Sequence, residues 1–287
     1  MHGLAMPTTP KSGRRNSFLN AEIITHEPRS AARDAPPLLF VHGAYVGGWC
    51  WAEHFLPHFA SLGYRAHAIN LRRHIHGHWP LRLTPHASLA DYIEAIEAAA
   101  AELGEPPVLI GHSMGGYLIQ QYLSQRQAAA AVLMASVPPQ GVLPATAWLA
   151  LTNPMLFQQI QLLQWFGPQT VFALYGIEGG RRPLFSPHLA DDKVREYTSR
   201  AQLESPQAIL EMSLPLRPRS RKSAPVNTLV MGAGLDSLIP ASAIHSTASA
   251  FDTEAVFVAQ LGHAMMLDHH WKDAATTIQG WLHEQGM

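Results

Sequence analysis

A short apolar strand that runs directly into a glycine-flanked serine constrains this chain more than any other feature of its sequence. Residues 108–110 are apolar and typical of a buried strand, and residues 111–115 then read G-x-S-x-G around Ser113. Apolar residues recur at three- and four-residue spacing from Tyr117 to Leu123, which predicts a helix. The two glycines remove side chains that would collide across so tight a turn. The pattern therefore predicts a strand, a sharp turn and a helix, with the Ser113 hydroxyl at a helix N-terminus that favours negative charge.

Strand and helix segments alternate on both sides of this turn. One helix is predicted over residues 49–61, and another opens at Ser88 with Asp91 three residues later, a variant of the capping box. Alternation of this kind predicts an α/β fold, in which a doubly wound and mostly parallel sheet is covered by helices on both faces. The predicted strands lie near residues 38–41, 65–71, 108–110, 130–135, 228–231 and 256–258.

The same alternation of strands and helices defines the predicted domain organisation. Residues 1–20 are polar and rich in Pro, Gly and Ser, which is typical of a disordered tail. Residues 21–136 and 223–287 carry the alternating pattern and form the predicted core. Residues 137–222 break the pattern, because they are helical or irregular and dense in large apolar side chains. We therefore expect one helical insertion that covers the core as a cap.

Composition and charge exclude several classes of partner. The net charge is −1 and charged residues make up 14% of the chain, so nothing favours nucleic acid or an anionic membrane surface. The one cysteine, Cys50, excludes an intramolecular disulfide. No apolar run is long enough to cross a bilayer, and Arg14-Arg15 lacks the apolar stretch that a twin-arginine export signal requires. These features predict a cytoplasmic protein without stable membrane insertion, and they leave its oligomeric state open.

Two further residues follow predicted strands in the way that Ser113 does. Asp236 lies in the loop after the fifth predicted strand, and His263 lies in the loop after the sixth. Loops at the carboxyl ends of parallel strands converge on one edge of the sheet, so the three side chains are expected to meet. A serine hydroxyl needs a base, and a group that orients the base, before it becomes a useful nucleophile. We therefore predict a catalytic triad of these three residues, with Asp236 preferred to Asp268 because Asp268 falls only five residues after the histidine.

Two backbone amides beside Ser113 are candidates for binding an oxyanion. An acyl carbon attacked by a serine becomes a tetrahedral oxyanion, whose charge needs hydrogen-bond donors that are already in place. The N–H of Met114 directly follows the serine and is one predicted donor. The loop that begins at His42-Gly43 supplies the other, through the N–H of Ala44.

In combination, these motifs resemble those of the α/β-hydrolase superfamily. The resemblance covers roughly residues 37–135 and 226–284. Within it, residues 41–51 resemble bacterial lysophospholipase-like esterases and the plant methylesterase and hydroxynitrile lyase group. The residues that carry it are His-Gly-Ala at 42–44, Gly-His-Ser-Met-Gly-Gly at 111–116, Asp236 before Ile239-Pro240, and Gly262-His263.

The resemblance implies an α/β-hydrolase fold with a helical cap inserted after the sixth strand. It also implies a serine esterase that hydrolyses carboxylic esters without a cofactor. The apolar insertion favours a small apolar ester as substrate, because pockets of this kind are lined mainly by apolar side chains. Candidate pocket residues are Tyr45, His112, Trp148, Phe157 and Trp165.

Several alternatives remain open at the level of sequence. Thioester, lactone and carbon–carbon bond hydrolysis would use the same triad, and a non-catalytic ligand receptor could use the same scaffold. A hydroxynitrile lyase is disfavoured, because no lysine closely follows Asp236.

The loop at residues 70–78 departs from the family pattern. It reads Asn-Leu-Arg-Arg-His-Ile-His-Gly-His where family members often carry Asp-Leu-Arg-Gly-His-Gly, so we carry no residue role over from it. His74, His76 and His78 alternate within the loop and would share one face of an extended segment, as metal ligands do. We nevertheless predict no metal, because nothing in the mechanism requires one.

Overall fold

Seven β-strands form one sheet within the residues that the structure, a computed structural model, describes: 22–28, 34–71, 87–214 and 226–287. In chain order the strands are β1 (Glu22–His26), β2 (Leu38–Val41), β3 (Ala66–Asn70), β4 (Val108–His112), β5 (Ala130–Met134), β6 (Thr228–Ala233) and β7 (Ala255–Val258). Their order in the sheet is β1-β3-β2-β4-β5-β6-β7. Strands β2 to β7 run parallel, and β1 pairs antiparallel with β3 at one edge. The prediction of a doubly wound and mostly parallel sheet is confirmed.

The helices of the described residues cover both faces of this sheet. They are α1 (Trp49–Ala52), α2 (Phe55–Ser61), α3 (Leu89–Glu102), α4 (Met114–Tyr122), α5 (Leu143–Thr152), α6 (Pro154–Phe166), α7 (Pro168–Leu184), α8 (Asp191–Ser199), α9 (Pro206–Met212), α10 (Ala241–Ala250) and α11 (Trp271–Glu284). Helices α1, α2 and α11 share one apolar cluster with the sheet, and α3, α4 and α10 share the other. The strand β2 shows why two clusters form: Leu38 and Phe40 point into the first and Leu39 and Val41 into the second.

The helix predicted over residues 49–61 is divided in two, which corrects that prediction. His54 has φ −135° and ψ −47°, outside the helical region, and separates α1 from α2. Its ring stacks on Trp271 of α11, with centroids 4.7 Å apart and planes 3° apart. A contact between the two ring faces therefore accompanies the break. The capping box at the start of α3 is confirmed, because the side chains of Ser88 and Asp91 each bond the other's backbone N–H.

Helices α5 to α9 all lie between β5 and β6, inside the predicted insertion. The insertion thus follows the fifth strand of the described sheet, and its expected position after the sixth is corrected. The difference arises because the resemblance counts one more strand before the insertion than the described residues contain. The bounds at 137 and 222 stay a prediction. The tail at 1–20 and the histidines at 74, 76 and 78 lie outside the described residues.

Candidate active site

Ser113 occupies a strained turn at the carboxyl end of the central strand β4. Its φ of 52° and ψ of −114° lie where residues other than glycine are rarely found. The backbone around it is fixed, since its N–H donates to the Met134 carbonyl at 3.0 Å and its C=O accepts from Val137 at 3.3 Å. Helix α4 begins at the next residue, Met114. The turn therefore holds the serine hydroxyl at a helix N-terminus, as the sequence pattern predicts.

The glycines on either side of Ser113 permit this geometry. A Cβ added to Gly111 would lie 2.7 Å from the carbonyl carbon of Gly115, and one added to Gly115 would lie 2.3 Å from the Val41 oxygen. The first contact is the collision across the turn that the two glycines of the G-x-S-x-G pattern avoid. The second shows that α4 packs directly on the end of β2, which brings its first turn against the loop at residues 42–44.

Asp236 and His263 form a buried hydrogen-bonded pair. The Nδ1 of His263 lies 2.8 Å from Oδ2 of Asp236, and their side chains are 6% and 2% exposed. The other carboxylate oxygen of Asp236 accepts from the backbone N–H groups of Leu238 at 2.8 Å and Ile239 at 3.0 Å. The loop after β6 thus orients the carboxylate with two backbone donors, and the carboxylate in turn fixes which nitrogen of His263 carries the proton.

His112, the residue before the serine, brings this pair to the turn. Its Nε2 lies 2.8 Å from the backbone oxygen of His263, and the two rings are 4.7 Å apart between centroids. Burial, together with the neighbouring His263, holds the pKa of His112 well below its usual range. A neutral ring donates through Nε2–H to that oxygen. His112 is 5% exposed, which fits a support for the His263 loop better than a pocket wall.

The two predicted oxyanion donors lie on facing segments. A Cβ added to Gly43 would be 3.2 Å from Cβ of Ser113, so the loop that carries Ala44 lies directly against the serine side chain. The N–H of Met114 is the first of α4 and has no intrahelical partner. Within the described part of the chain, neither of these amides donates a hydrogen bond to another protein group. Both are therefore available to a bound anion.

His42 holds the loop at residues 42–44 in place. Its Nε2 accepts from the N–H of Leu71 at 3.1 Å, so its proton lies on Nδ1, which donates to the Gly43 carbonyl at 2.8 Å. The ring is 2% exposed. Both bonds make His42 a structural residue that fixes this loop.

The remaining candidate pocket residues lie at the insertion or beside it. The Tyr45 hydroxyl donates to Gln164 of α6, and burial and the Glu204 carboxylate raise the pKa of that hydroxyl. Trp148 of α5 and Trp165 of α6 are 41% and 56% exposed, whereas Phe157 is partly buried. The two tryptophans are therefore accessible to solvent. Their role in a pocket stays a prediction.

Comparison with known protein families assigns this chain to one of them. A family model described as "Alpha/beta hydrolase family" matches residues 38–276, most of the chain. The chain belongs to the alpha/beta hydrolase family. The match begins at β2 and ends within α11, so it includes the Ser113 turn and the loops of Asp236 and His263.

Curated relatives of this α/β-hydrolase match over a shorter region. It is 36% identical over 110 residues to "Probable esterase PIR7A" of Oryza sativa subsp. indica, which is 36% of this chain and 40% of that protein. It is also 36% identical over 110 residues to "Norfluorocurarine synthase 1" of Strychnos sp, covering 37% and 40% of the two chains. The chain thus spans about 40% of the length of the curated relatives it matches.

Solved structures resemble the α/β-hydrolase over almost its whole length. A thermophilic esterase from Thermogutta terrifontis matches with a TM-score of 0.64 and 18% identity, covering 92% of this chain and 94% of that one. The protein Rv0554 from Mycobacterium tuberculosis matches with a TM-score of 0.69 and 16% identity, covering 92% and 93%. At these identities the likeness shows the fold.

In the described ranges, no group of three or more His, Cys, Asp or Glu side chains could hold a metal ion. None of the helices formed by those residues has both the length and the apolar character to cross a bilayer.

Proposed function

We propose that this α/β-hydrolase is a serine esterase that cleaves carboxylic esters through an acyl-enzyme intermediate. The observation that carries the proposal is the buried pair of Asp236 and His263, 2.8 Å apart and joined through His112 to the turn of Ser113. General-base activation of a serine hydroxyl requires an imidazole whose orientation and proton are fixed, and the bond to Asp236 supplies both for His263. The names of the curated rice relatives also favour an esterase.

The proposed reaction proceeds in two halves. In the first, Oγ of Ser113 attacks the acyl carbon while His263 takes the hydroxyl proton, and the tetrahedral oxyanion accepts hydrogen bonds from the N–H groups of Ala44 and Met114. The carbon–oxygen bond to the alcohol then breaks, and His263 gives its proton to the leaving oxygen. In the second half, His263 takes a proton from water as the water attacks the acyl carbon. The acid leaves and Ser113 recovers its proton. Asp236 stabilises the imidazolium in both halves.

The helical insertion supports an apolar substrate. Helices α5 and α6 carry large apolar side chains, and Tyr45 links the loop of Ala44 to α6 through Gln164. Each methylene that the insertion buries should contribute about 0.8 kcal/mol of favourable transfer free energy. We therefore propose that kcat/KM rises with acyl chain length until the chain exceeds the pocket, with the insertion setting the optimum.

A panel of p-nitrophenyl esters from acetate to longer acyl chains tests the proposal, with Ser113→Ala as the paired variant. The wild type should hydrolyse the esters and react once with a fluorophosphonate probe, and Ser113→Ala should do neither. Probe labelling that survives the substitution would contradict the role of Ser113. A wild type that binds esters without turnover would instead favour the receptor alternative.

The pocket is tested by substituting Phe157→Ala, with Leu151→Ala as a matched control because Leu151 is 85% exposed. Phe157→Ala should move the chain-length optimum, and Leu151→Ala should leave it in place. An optimum that stays fixed in every folded variant would show that selectivity lies outside the insertion.

A further inference from the structure

Asp268 closes the loop that carries His263. Its Oδ2 accepts from the N–H groups of Gly262 and Ser186, each at 2.7 Å. Its Oδ1 accepts from the Ser186 hydroxyl and from the N–H of His269, also at 2.7 Å each. Asp268 is 1% exposed, and all four of these partners are donors. Four short hydrogen bonds hold the buried carboxylate in one position, and the same bonds fix the positions of the donor groups.

The main chain around His263 is fixed at three consecutive residues, Gly262, His263 and Ala264. The N–H of the preceding residue donates to Asp268, the C=O of His263 accepts from His112 at 2.8 Å, and the next N–H donates to the Leu184 carbonyl at 2.8 Å. The apolar residues that complete the loop, 264–267, are all buried. Asp236 fixes the ring at Nδ1, whereas these three bonds fix the backbone from which the ring projects.

The insertion takes part in this arrangement. Ser186 follows closely after the end of α7, and a Cβ added to Gly262 would lie 2.6 Å from the carbonyl carbon of Phe185. The Ser237 hydroxyl, next to Asp236, donates to the Arg182 carbonyl at 2.9 Å. Residues 182–186 therefore bond to the loops of both the proposed acid and the proposed base.

We propose that Asp268 is a positioning residue that places His263 for catalysis. It fixes the N–H of Gly262 and fastens the His263 loop to the insertion through Ser186. It contacts no reacting atom in the proposed mechanism. The turnover readout of this inference rests on the proposed esterase function.

Asp268→Asn is the decisive substitution, because every partner of the carboxylate is a donor. An amide keeps one acceptor oxygen and turns an NH₂ group towards two of those donors, so the loop must shift. Misplacement of a catalytic group by about 1 Å costs up to roughly 10²-fold in rate. We expect kcat for p-nitrophenyl acetate, per site titrated with fluorophosphonate, to fall about 10- to 100-fold, with KM changed far less.

Nuclear magnetic resonance provides a readout that needs no turnover. The proton on Nδ1 of His263, bonded to Asp236, should give a low-field resonance, assigned by its loss in His263→Ala. Asp268→Asn should broaden this resonance or abolish it at temperatures where circular dichroism shows a folded protein. A role in stability alone would lower the unfolding temperature and leave the resonance and kcat unchanged.

Two other variants serve as controls. Asp91→Asn also converts a carboxylate that accepts two hydrogen bonds into an amide, but at the start of α3, so it should lower stability and preserve kcat and the resonance. Ser186→Ala leaves the bond between the Asp268 carboxylate and the Gly262 N–H in place. Its loss of kcat should therefore be several-fold smaller than the loss in Asp268→Asn. A folded Asp268→Asn with wild-type kcat and resonance overturns the proposal.

Asp268→Glu replaces the amide variant if that variant does not fold. Across the folded variants, kcat should fall wherever the resonance is lost, and a variant that loses one and keeps the other contradicts the inference. A wild type that hydrolyses no ester refutes the esterase function, whereas the resonance still tests whether Asp268 positions His263.

Discussion

Gly115→Ala tests how closely the packing of α4 on β2 sets the site. A Cβ at this position would lie 2.3 Å from the Val41 oxygen and 2.6 Å from the His42 oxygen. Both oxygens belong to the backbone, so the contact is relieved only if α4 and the end of β2 move apart. Real Cβ contacts keep at least 3.0 Å, so the displacement is about 0.7 Å, the difference between 3.0 and 2.3.

That displacement separates the two proposed oxyanion donors, because Ala44 follows the end of β2 and Met114 begins α4. Loss of one such donor costs roughly 10²–10³ in kcat, and we expect a partial loss of about 10- to 100-fold here. The effect on the free energy of unfolding should be modest, because two contributions oppose each other. Overpacking costs about 1–3 kcal/mol, and the better helix propensity of alanine offsets about 1 kcal/mol of it.

Gly280→Ala is the matched control, since it makes the same substitution in α11 at a position where a Cβ meets no atom within 4 Å. It should stabilise the protein by up to about 1 kcal/mol, raise Tm by ~2–4 °C and leave kcat unchanged. Thermal unfolding by circular dichroism and turnover of a p-nitrophenyl ester per titrated site measure both effects. If Gly115→Ala stays within about threefold of the wild-type kcat, the contact between α4 and β2 does not set the donor geometry.

Three other predictions follow from the same geometry. Asp236→Asn should lower kcat by roughly 10³–10⁴, since the amide cannot orient His263 as the carboxylate does, and a smaller loss than in Asp268→Asn would contradict the triad. Burial lowers the pKa of His112, so below about pH 6.5 this residue binds a proton in the unfolded chain and stays neutral in the folded chain. The free energy of unfolding should therefore fall on acidification, by up to about 1.4 kcal/mol per pH unit from this group, and His112→Asn should reduce the slope measured by urea unfolding. Hydrolysis should persist after treatment with EDTA and dialysis, and a loss that zinc restores would contradict a metal-free mechanism.

The sequence predicts the centre of the site well because local rules act there. The strand, turn and helix around Ser113 follow from apolar spacing and from two glycines, and the capping box of α3 follows from Ser88 and Asp91. The loops of Asp236 and His263 are predictable for another reason. Parallel strands end at one edge of a sheet, so residues far apart in the chain meet there once the strands are assigned.

Other features depend on contacts that no local pattern records. The edge strand β1 is only partly buried, so it lacks the apolar run that marks the inner strands. The division between α1 and α2 accompanies a stacking contact between His54 and Trp271, more than 200 positions apart in the chain. The bonds of Asp268 cannot be read from the sequence, because its partner Ser186 belongs to the insertion. Its place five residues after His263 shows only that it lies in the same loop.

The contacts of the insertion limit how its role can be tested. If α5 to α9 merely covered the core, their deletion would change selectivity and leave the chemistry intact. Residues 182–186, however, bond to the loops of His263 and Asp236, and Asp268 joins two of these segments. Deletion would therefore loosen the proposed acid and base together, and the lost activity would say nothing about selectivity. Substitutions in α5 and α6, which lie outside these contacts, separate the two effects, and they are the ones that can show whether the insertion selects the substrate.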